Sequence, residues 1–355
     1  MNYKNKELFD LLKFVAPGTE IRSGIDTILD AGTGGLIILG CTEEILNICD
    51  GGFYINTKYN PQRIYELAKM DGAIILNNDV NEIIYASVQL QPDSNIPTIE
   101  SGTRHRTAER VAKQTGNKVV AISQRRKRVT IYKGNLKYTL RNISEIITEA
   151  NQAIKTLERF SDVIDKALAN LTVMEFEDLV TLFEVTTILQ KFVLILKVTE
   201  EIEKYIVELG VEGRLLEIQF EEIIIDLKKE IEALIKDYYN SDKDGFDLEN
   251  IFNKFRDLSE KEEIEIEDIA FILGYKKRYE TLDQKVIPKG FRLLSRVKRL
   301  TNKDISKLTS SFDGLTAILD ASEDELADEN ITKIKARSIK NEIKRLKITI
   351  EFEKN

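Results

Sequence analysis

The sequence predicts an α/β domain followed by all-helical segments, and three observations carry that expectation. Over the first 140 residues, short apolar runs rich in β-branched residues alternate with patterns of helical period. From about residue 143 the apolar spacing changes to steps of three and four. Prolines stand at 17, 61, 92 and 97 and then not again until 288, so 190 residues run without a helix breaker. The chain therefore divides into an α/β domain over 1–142, a helical spine over 143–287 and a smaller helical domain over 288–355.

Glu20–Leu29 reads as a helix, Leu36–Leu39 as a strand, and Pro61–Lys69 as a helix whose proline suits a first turn. Ala73–Leu76 and Ile83–Leu90 read as strands, Arg104–Gln114 as a helix that Gly116 would terminate, and Val119–Ile122 and Val129–Tyr132 as strands. Strands alternating with helices predict a mostly parallel sheet covered on both faces. In the spine, Ile147, Ala150, Ile154, Leu157, Ile164, Leu168 and Leu171 form a helical seam that Ser161 interrupts. The helical pattern continues through Leu182–Leu196, Ile202–Leu209 and Leu215–Tyr239. Asn240–Asp247 reads as a loop, the charged run Glu260–Asp268 as a solvated helix face, and a set of short helices follows Pro288.

The chain has 355 residues, 42% apolar and 32% charged, with no tryptophan, which excludes collagen-like, low-complexity and disulfide-rich classes. Its longest apolar stretches, such as Gly35–Cys41 and Phe192–Leu196, fall far short of the roughly 20 residues a membrane span requires. The opening MNYKNKELFD carries acids in its first turns and no apolar core, so a cytoplasmic protein is expected rather than a secreted one. Cys41 and Cys49 are eight apart, which fits neither a metal clip nor a redox pair. His105 is the only histidine, excluding zinc chemistry on several imidazoles.

Charge is distributed unevenly. Residues 1–100 carry 7 bases and 14 acids, a net of −7, whereas residues 101–142 carry 12 bases and the single acid Glu109, a net of +11. Residues 143–288 hold 18 bases against 34 acids, a net of −16, and residues 289–355 hold 15 against 11, a net of +4. A 42-residue basic island in a chain of net charge −8 concentrates positive potential where an anion should bind. A surface salt-bridged to the acidic spine is the alternative.

Within the island, Gly102-Thr103-Arg104-His105-Arg106-Thr107 opens a helix, with Thr103 the candidate N-cap. A helix N-terminus offers unpaired amides and the positive end of its dipole, and two arginines and a histidine in that turn would make a polyphosphate cradle. Cations are otherwise unfavourable there, so a basic helix start compensated by nearby acids is the structural alternative. The run lacks the glycine spacing and Lys-Ser/Thr ending of a Walker A loop, and no GxGxxG follows a strand. Met70-Asp71-Gly72-Ala73 places a carboxylate at a strand edge, suited to a metal or a hydroxyl and equally to a plain turn. Ser123-Gln124-Arg125-Arg126-Lys127-Arg128 closes a strand with a phosphate clamp, a nucleic-acid patch or an exposed turn. Without a nucleophile–histidine–acid pattern, these groups suit phosphoryl or nucleotidyl transfer, which needs positioning and charge neutralisation.

These motifs resemble the diadenylate cyclase family: Met-Asp-Gly-Ala at 70–73, Gly-Thr-Arg-His-Arg-Thr-Ala-Glu-Arg at 102–110 and Val-Ala-Ile-Ser at 120–123. Pro17-Gly18-Thr19 and Gly51-Gly52-Phe53 look like further pieces, and Tyr205–Gly210 and Gly213-Arg214 look familial along the spine. The order of the three parts is similar to that of the family's DNA-integrity-scanning members. The resemblance implies a central mixed sheet flanked by helices, and condensation of two ATP into cyclic di-AMP and two pyrophosphates with Mg2+ or Mn2+. It implies two cyclase domains face to face, each 3′-hydroxyl attacking the other nucleotide's α-phosphate, within an octamer or at least a dimer. By the same resemblance Asp71 would bind the metal or activate the hydroxyl, and Gly72 would admit the nucleotide. Thr103, Arg104, His105, Arg106 and Thr107 would hold phosphates, with Asp71, Arg104, His105 and Arg106 catalytic, and Leu90 and Ser123 would contact adenine. Gln124 stands where the family can carry another arginine.

The C-terminal part resembles a helix-hairpin-helix module that contacts the DNA backbone. The aligned hairpin is Asn330-Ile331-Thr332 followed by Lys333, Lys335, Ala336 and Arg337, where the module uses Gly-hydrophobic-Gly. The basic run Lys289, Arg292, Arg296, Lys298 and Arg299 favours contact with branched DNA, whereas the two missing glycines and the acids Asp328 and Glu329 oppose it. Three readings follow: a cyclic di-AMP synthase with a DNA-responsive tail, a branched-DNA-binding checkpoint protein whose cyclase is secondary or lost, and an oligomeric scaffold. Intact Asp71, Arg104, His105 and Arg106 favour the first.

Overall fold

The computed structural model describes residues 3–240, 245–328 and 331–353. The chain forms two compact units, Met1–Ala150 with Glu203–Leu216, and Asn151–Ile202 with Glu217–Asn355.

In the first unit, helices α1 (Tyr3–Val15) and α2 (Glu20–Asp30) precede β1 (Gly35–Leu39), and α3 (Glu43–Leu46) precedes β2 (Cys49–Asp50) and β3 (Phe53–Lys58). Next come α4 (Pro61–Leu67), β4 (Ala73–Leu76), β5 (Glu82–Leu90), α5 (Thr103–Thr115), β6 (Lys118–Ser123), β7 (Arg128–Lys133) and β8 (Leu136–Thr139). The eight strands form one sheet in the order β2-β5-β4-β1-β6-β7-β8, with β3 also paired to β5.

Successive residues of a strand point to opposite faces, and both faces here are covered. Ile37, Leu39, Ile74, Leu76, Val120 and Ile122 turn to a core shared with Leu11 of α1, Ile25 and Ile28 of α2 and Ile64 of α4. Their neighbours Leu36, Ile38, Ala73, Ile75, Val119 and Ala121 turn to a second core with Ile45 of α3 and Ala108, Val111 and Ala112 of α5. The sheet is mixed, not mostly parallel. Only β1 and β4 run parallel, while β1·β6, β4·β5, β6·β7 and β7·β8 are antiparallel. The connectors decide three of these four pairs: residues 77–81, 124–127 and 134–135 are too short for a crossover, which requires a dozen residues or more.

The familial motifs outside the basic island build this unit. Thr19 caps α2, its side chain accepting from the Arg22 amide at 3.2 Å. The Val211 amide donates to the Pro17 carbonyl at 3.2 Å, with Gly210 at φ +52° where an added Cβ would meet the Pro17 oxygen.

In the second unit, α6 (Ile143–Phe176), which begins in the first, and α7 (Leu182–Leu209), which ends in the first as the next helix begins there, supply the spine's first long helices. Ala150, Ile154, Leu157, Ile164, Leu168 and Leu171 are buried, and Ile147 only partly. Then follow α8 (Arg214–Tyr238), α9 (Leu248–Ser259), α10 (Ile266–Ile272), α11 (Phe291–Ser295), α12 (Asn302–Ser311), α13 (Gly314–Asp320), α14 (Glu323–Asp328) and α15 (Lys333–Glu353). Of the expected loop at 240–247, residues 241–244 lie outside the described residues, and 240 and 245–247 belong to no helix or strand. The tail is not all short helices: α15 has 21 residues, and Ala336, Ile339 and Ile343 on it close a core with Leu294, Leu308, Leu315 and Ile318. No described helix is long and apolar enough to cross a membrane.

Candidate active site

The site is assembled on the N-terminus of α5. Gly102, extended at φ −86° and ψ 140°, caps the helix, so Thr103 is the first helical residue and not the cap. No side chain caps this end, and the first intrahelical bond is Arg106 N–H to the Gly102 carbonyl at 2.9 Å. The amides of Thr103, Arg104 and His105 thus precede the helical ladder, the arrangement that receives an anion. Gly116, left-handed at φ +70°, ends the helix as expected.

Arg104 and His105 of the turn each have their own support. Arg104 Nη1 donates to the Ile122 carbonyl at 3.2 Å, and its guanidinium lies where a Cβ on Gly34 would stand. His105 Nδ1 lies 3.0 Å from the Tyr132 hydroxyl, which donates to Glu100 at 2.9 Å. Lys137 also pairs with Glu100. Burial pushes the Glu100 carboxyl up, but the hydrogen bonds from Lys137 and Tyr132 outweigh it and the net shift is downward. Burial lowers the His105 pKa, with Arg104, Lys137 and Arg126 adding to the shift and Glu100 opposing it.

The loop before α5 is clipped to that helix. Arg110 donates to the carbonyls of Ile96 at 3.0 Å and Ser94 at 2.8 Å, and Lys113 to that of Pro97 at 2.9 Å. Glu109, the island's only acid, is buried and takes hydrogen bonds from Lys113 and Thr98. It serves the loop, so the acid that faces the cationic turn is Glu100, through Tyr132 and His105.

These elements enclose a cleft of about 760 Å³. Of the residues singled out in the sequence, Gly72, Leu90, Thr103, Arg104, His105, Thr107 and Ser123 line it, together with Gln124, Arg125 and Arg126 of the β6–β7 turn and Arg128 at the start of β7. Asp71 and Arg106 are exposed and stand outside its lining. Gly72, at φ +101°, has a structural cause: an added Cβ would fall 2.7 Å from the Ser87 carbonyl carbon and 2.9 Å from the Val88 amide nitrogen. The close approach it permits is that of β5, where Ser87 at φ +57° donates its hydroxyl to the Asp71 carbonyl at 2.8 Å.

Glu100, Tyr132, Lys137 and Gly34 escaped the sequence reading. Glu100 is the acid just before the Gly102 cap, and Gly34 belongs to the Gly32-Thr33-Gly34-Gly35 run ahead of β1. Nothing in the chain order pairs Gly34 with α5, and what that order hides for Glu100, which does stand beside that helix, is the bond to Tyr132. Among the described residues no group of three or more His, Cys, Asp or Glu could hold a metal by itself. A lone exposed carboxylate such as Asp71 suits Mg2+, which keeps several waters and shares one or two carboxylates with substrate phosphates.

The tail carries its own candidates. Asn330 lies outside the described residues. Thr332 precedes α15, its carbonyl accepting from the Lys335 and Ala336 amides at 2.8 and 3.1 Å. Lys333 pairs with Asp324 at 3.1 Å and Lys335 with Asp304 at 2.6 Å. Arg292, expected to face DNA, is instead 2% exposed and paired with Glu175.

An α/β domain with a cation-lined cleft at a helix N-terminus defines a nucleotide- or phosphate-binding protein. The family model described as "DisA bacterial checkpoint controller nucleotide-binding" matches residues 22–136, and the "DisA bacterial checkpoint controller linker region" matches residues 140–282. The chain is 44% identical over 349 residues to the DNA integrity scanning protein DisA of Fusobacterium nucleatum, covering 98% of this chain and 99% of that one. It is 46% identical over 345 residues to DisA of Clostridium kluyveri, covering 97% and 96%. Among solved structures it is similar to DacA from Staphylococcus aureus, with 19% identity, a TM-score of 0.30, and coverage of 36% of this chain and 90% of that one. The chain belongs to the DisA family of diadenylate cyclases.

Proposed function

We propose that the protein condenses two ATP molecules into cyclic di-AMP, releasing two pyrophosphates. The observation that carries this reading is the cleft at the uncapped start of α5, where Arg104, Arg125, Arg126 and Arg128 surround amides with no helical partner. A triphosphate there meets charge-assisted donors and the helix dipole together. Leu90 and Ser123, which also line the cleft, would contact the adenine.

Asp71 lies at the exposed edge, outside the lining of its own cleft. That placement suits a group that meets substrate when a second copy faces it, so that each 3′-hydroxyl reaches the other α-phosphate. Asp71 would orient that hydroxyl and share a Mg2+ or Mn2+ ion, which supplies charge neutralisation of the triphosphate. Arg106, also exposed and outside that lining, would hold phosphate together with the lining residues. A pair of domains suffices for this chemistry, and an octamer is the expected assembly. The protein acts in the cytoplasm, and its third part, 288–355, contacts branched DNA weakly through the hairpin.

Incubation with ATP and Mg2+ or Mn2+, followed by chromatography, tests the reading. Cyclic di-AMP from the parent protein and none from Asp71→Asn is the expected result. No cyclic product with either ion would overturn it and favour a DNA-binding protein that holds a nucleotide without converting it.

A further inference from the structure

We propose that Glu100 and Tyr132 hold His105 as its Nδ1-protonated tautomer, so that the cleft engages a polyphosphate through His105 only by taking a proton from solvent at Nε2. The first half stands on hydrogen-bond arithmetic. Glu100 receives Lys137 and the Tyr132 hydroxyl together, and an ionised carboxylate only accepts. The single hydroxyl proton of Tyr132 is therefore committed to Glu100, 2.9 Å away. Toward His105 Nδ1, at 3.0 Å, that hydroxyl oxygen offers only a lone pair, so Nδ1 must carry hydrogen. In the neutral ring Nε2 is then a bare acceptor.

The second half follows from what surrounds that ring. Arg104 on α5, Lys137 on β8 and Arg126 in the β6–β7 turn act on it as cations, Glu100 in the preceding loop as the one anion, and Tyr132 on β7 meets it edge-on with ring centroids 6.3 Å apart. Partial burial and three cations against one carboxylate keep the free imidazole neutral. A bare Nε2 repels a phosphate oxygen. When a triphosphate occupies the helix start its negative charge reverses that balance, and a proton from bulk water adds to Nε2, turning repulsion into a charge-assisted bond. The residue that the family motif marks as a phosphate ligand is thus an acceptor until the substrate arrives. Tyr132 and Glu100 act through His105 and are positioning residues. This half rests on the reading of the cleft as a triphosphate site; the tautomer does not.

Because His105 is the only histidine, histidine-selective 15N labelling of the full chain reports this one ring. Solid-state 15N spectra of the sedimented protein at neutral pH should show a pyrrole-like Nδ1 and a pyridine-like Nε2. A pyrrole-like Nε2 would overturn the relay. Tyr132→Phe keeps the ring and removes the hydroxyl, and Glu100→Ala removes the acceptor, freeing the tyrosine proton to donate to Nδ1. Either variant should move the ring toward the Nε2–H form, and an unchanged Nδ1–H tautomer in both would overturn the relay. Calorimetric titration with the unreactive α,β-methylene analogue of ATP, in buffers of different ionisation enthalpy, then counts protons. Uptake approaching one proton per analogue near pH 8 in the parent, reduced in Tyr132→Phe, supports the coupling. Binding without uptake overturns the coupling while leaving the triphosphate site intact, whereas no binding overturns the triphosphate reading itself.

Discussion

The first unit's basic island and the second unit's basic tail share a sign of charge and differ in what their cations do. In the island, the only acid, Glu109, is occupied with Lys113 and the preceding loop, and Arg125, Arg126 and Arg128 form no ion pair with any described residue. In the tail, Arg292 is buried against Glu175 and Thr172, Lys289 donates to the Tyr239 carbonyl at 2.9 Å, and Arg296 pairs with Glu230 at 3.0 Å. Lys333 and Lys335 have acids of their own. Net charge therefore misleads as a guide to partners unless it is known which cations are already satisfied. The arginines that line the island's cleft keep their charge for a ligand, although Lys113, Lys133, Lys137 and Arg141 of the island have acids of their own, and in the tail Arg292, Arg296, Lys333 and Lys335 are already paired.

The largest effect should follow from breaking the tail's internal pairing. Asp237 accepts the amides of Gly290, Phe291 and Arg292 at 2.7, 2.5 and 2.9 Å, and Arg292 ties Glu175, Thr172 and the Leu168 carbonyl to the same point. Arg292→Ala leaves Glu175 buried and unpaired and should cost about 3–5 kcal/mol of unfolding free energy, read from denaturant midpoints. If it cost less than about 1 kcal/mol, the arginine would be available to a ligand after all.

In the island the same operation should spare stability and remove binding. Arg104→Ala should weaken binding of an ATP analogue about 100-fold, as loss of a charge-assisted contact implies, with little change in thermal midpoint. Equal loss of stability would mean that Arg104 only braces β6.

Gly72→Ala sharpens the comparison from the backbone side. Its Cβ meets the Ser87 and Val88 backbone, so a stability cost of about 1–3 kcal/mol should precede any kinetic effect. A variant of full stability and lost activity would instead restore the glycine's role in admitting nucleotide.

The smallest effect concerns acid. Hydrogen bonds from Lys335 and Thr301 hold the Asp304 carboxyl far below its usual range. A group lowered in this way stabilises the fold above its unfolded value of about 4, and that contribution fades as pH falls toward the folded value. Urea midpoints at pH 7 and pH 3 should therefore separate more in the parent than in Lys335→Met, and equal separation would show that the pair contributes nothing.

Much of this was legible in the chain. The helix of 103–115, its Gly116 end, the paired apolar strands and the cationic turn follow from periodicity and punctuation, which are local. What escaped was non-local. The strand directions depended on three short connectors lacking helical patterns, and β2, β3 and β8 are too short or too exposed to carry an apolar signature. Thr103 was favoured as a cap on residue preference, yet the turn begins one residue earlier, at a glycine whose missing side chain leaves the amides open. Glu100 and His105 are close in the chain, but Tyr132 joins them only in the fold, and no spacing rule links positions 32 apart.

The measurement that bears most directly on the contrast between the two regions is a salt series from about 50 to 200 mM on the full chain, titrated with the unreactive ATP analogue and with branched DNA. The analogue should bind throughout and be lost in Arg104→Ala, while DNA binds weakly and falls steeply with salt. Tight DNA binding that ignores salt, beside analogue binding indifferent to Arg104, would contradict the account.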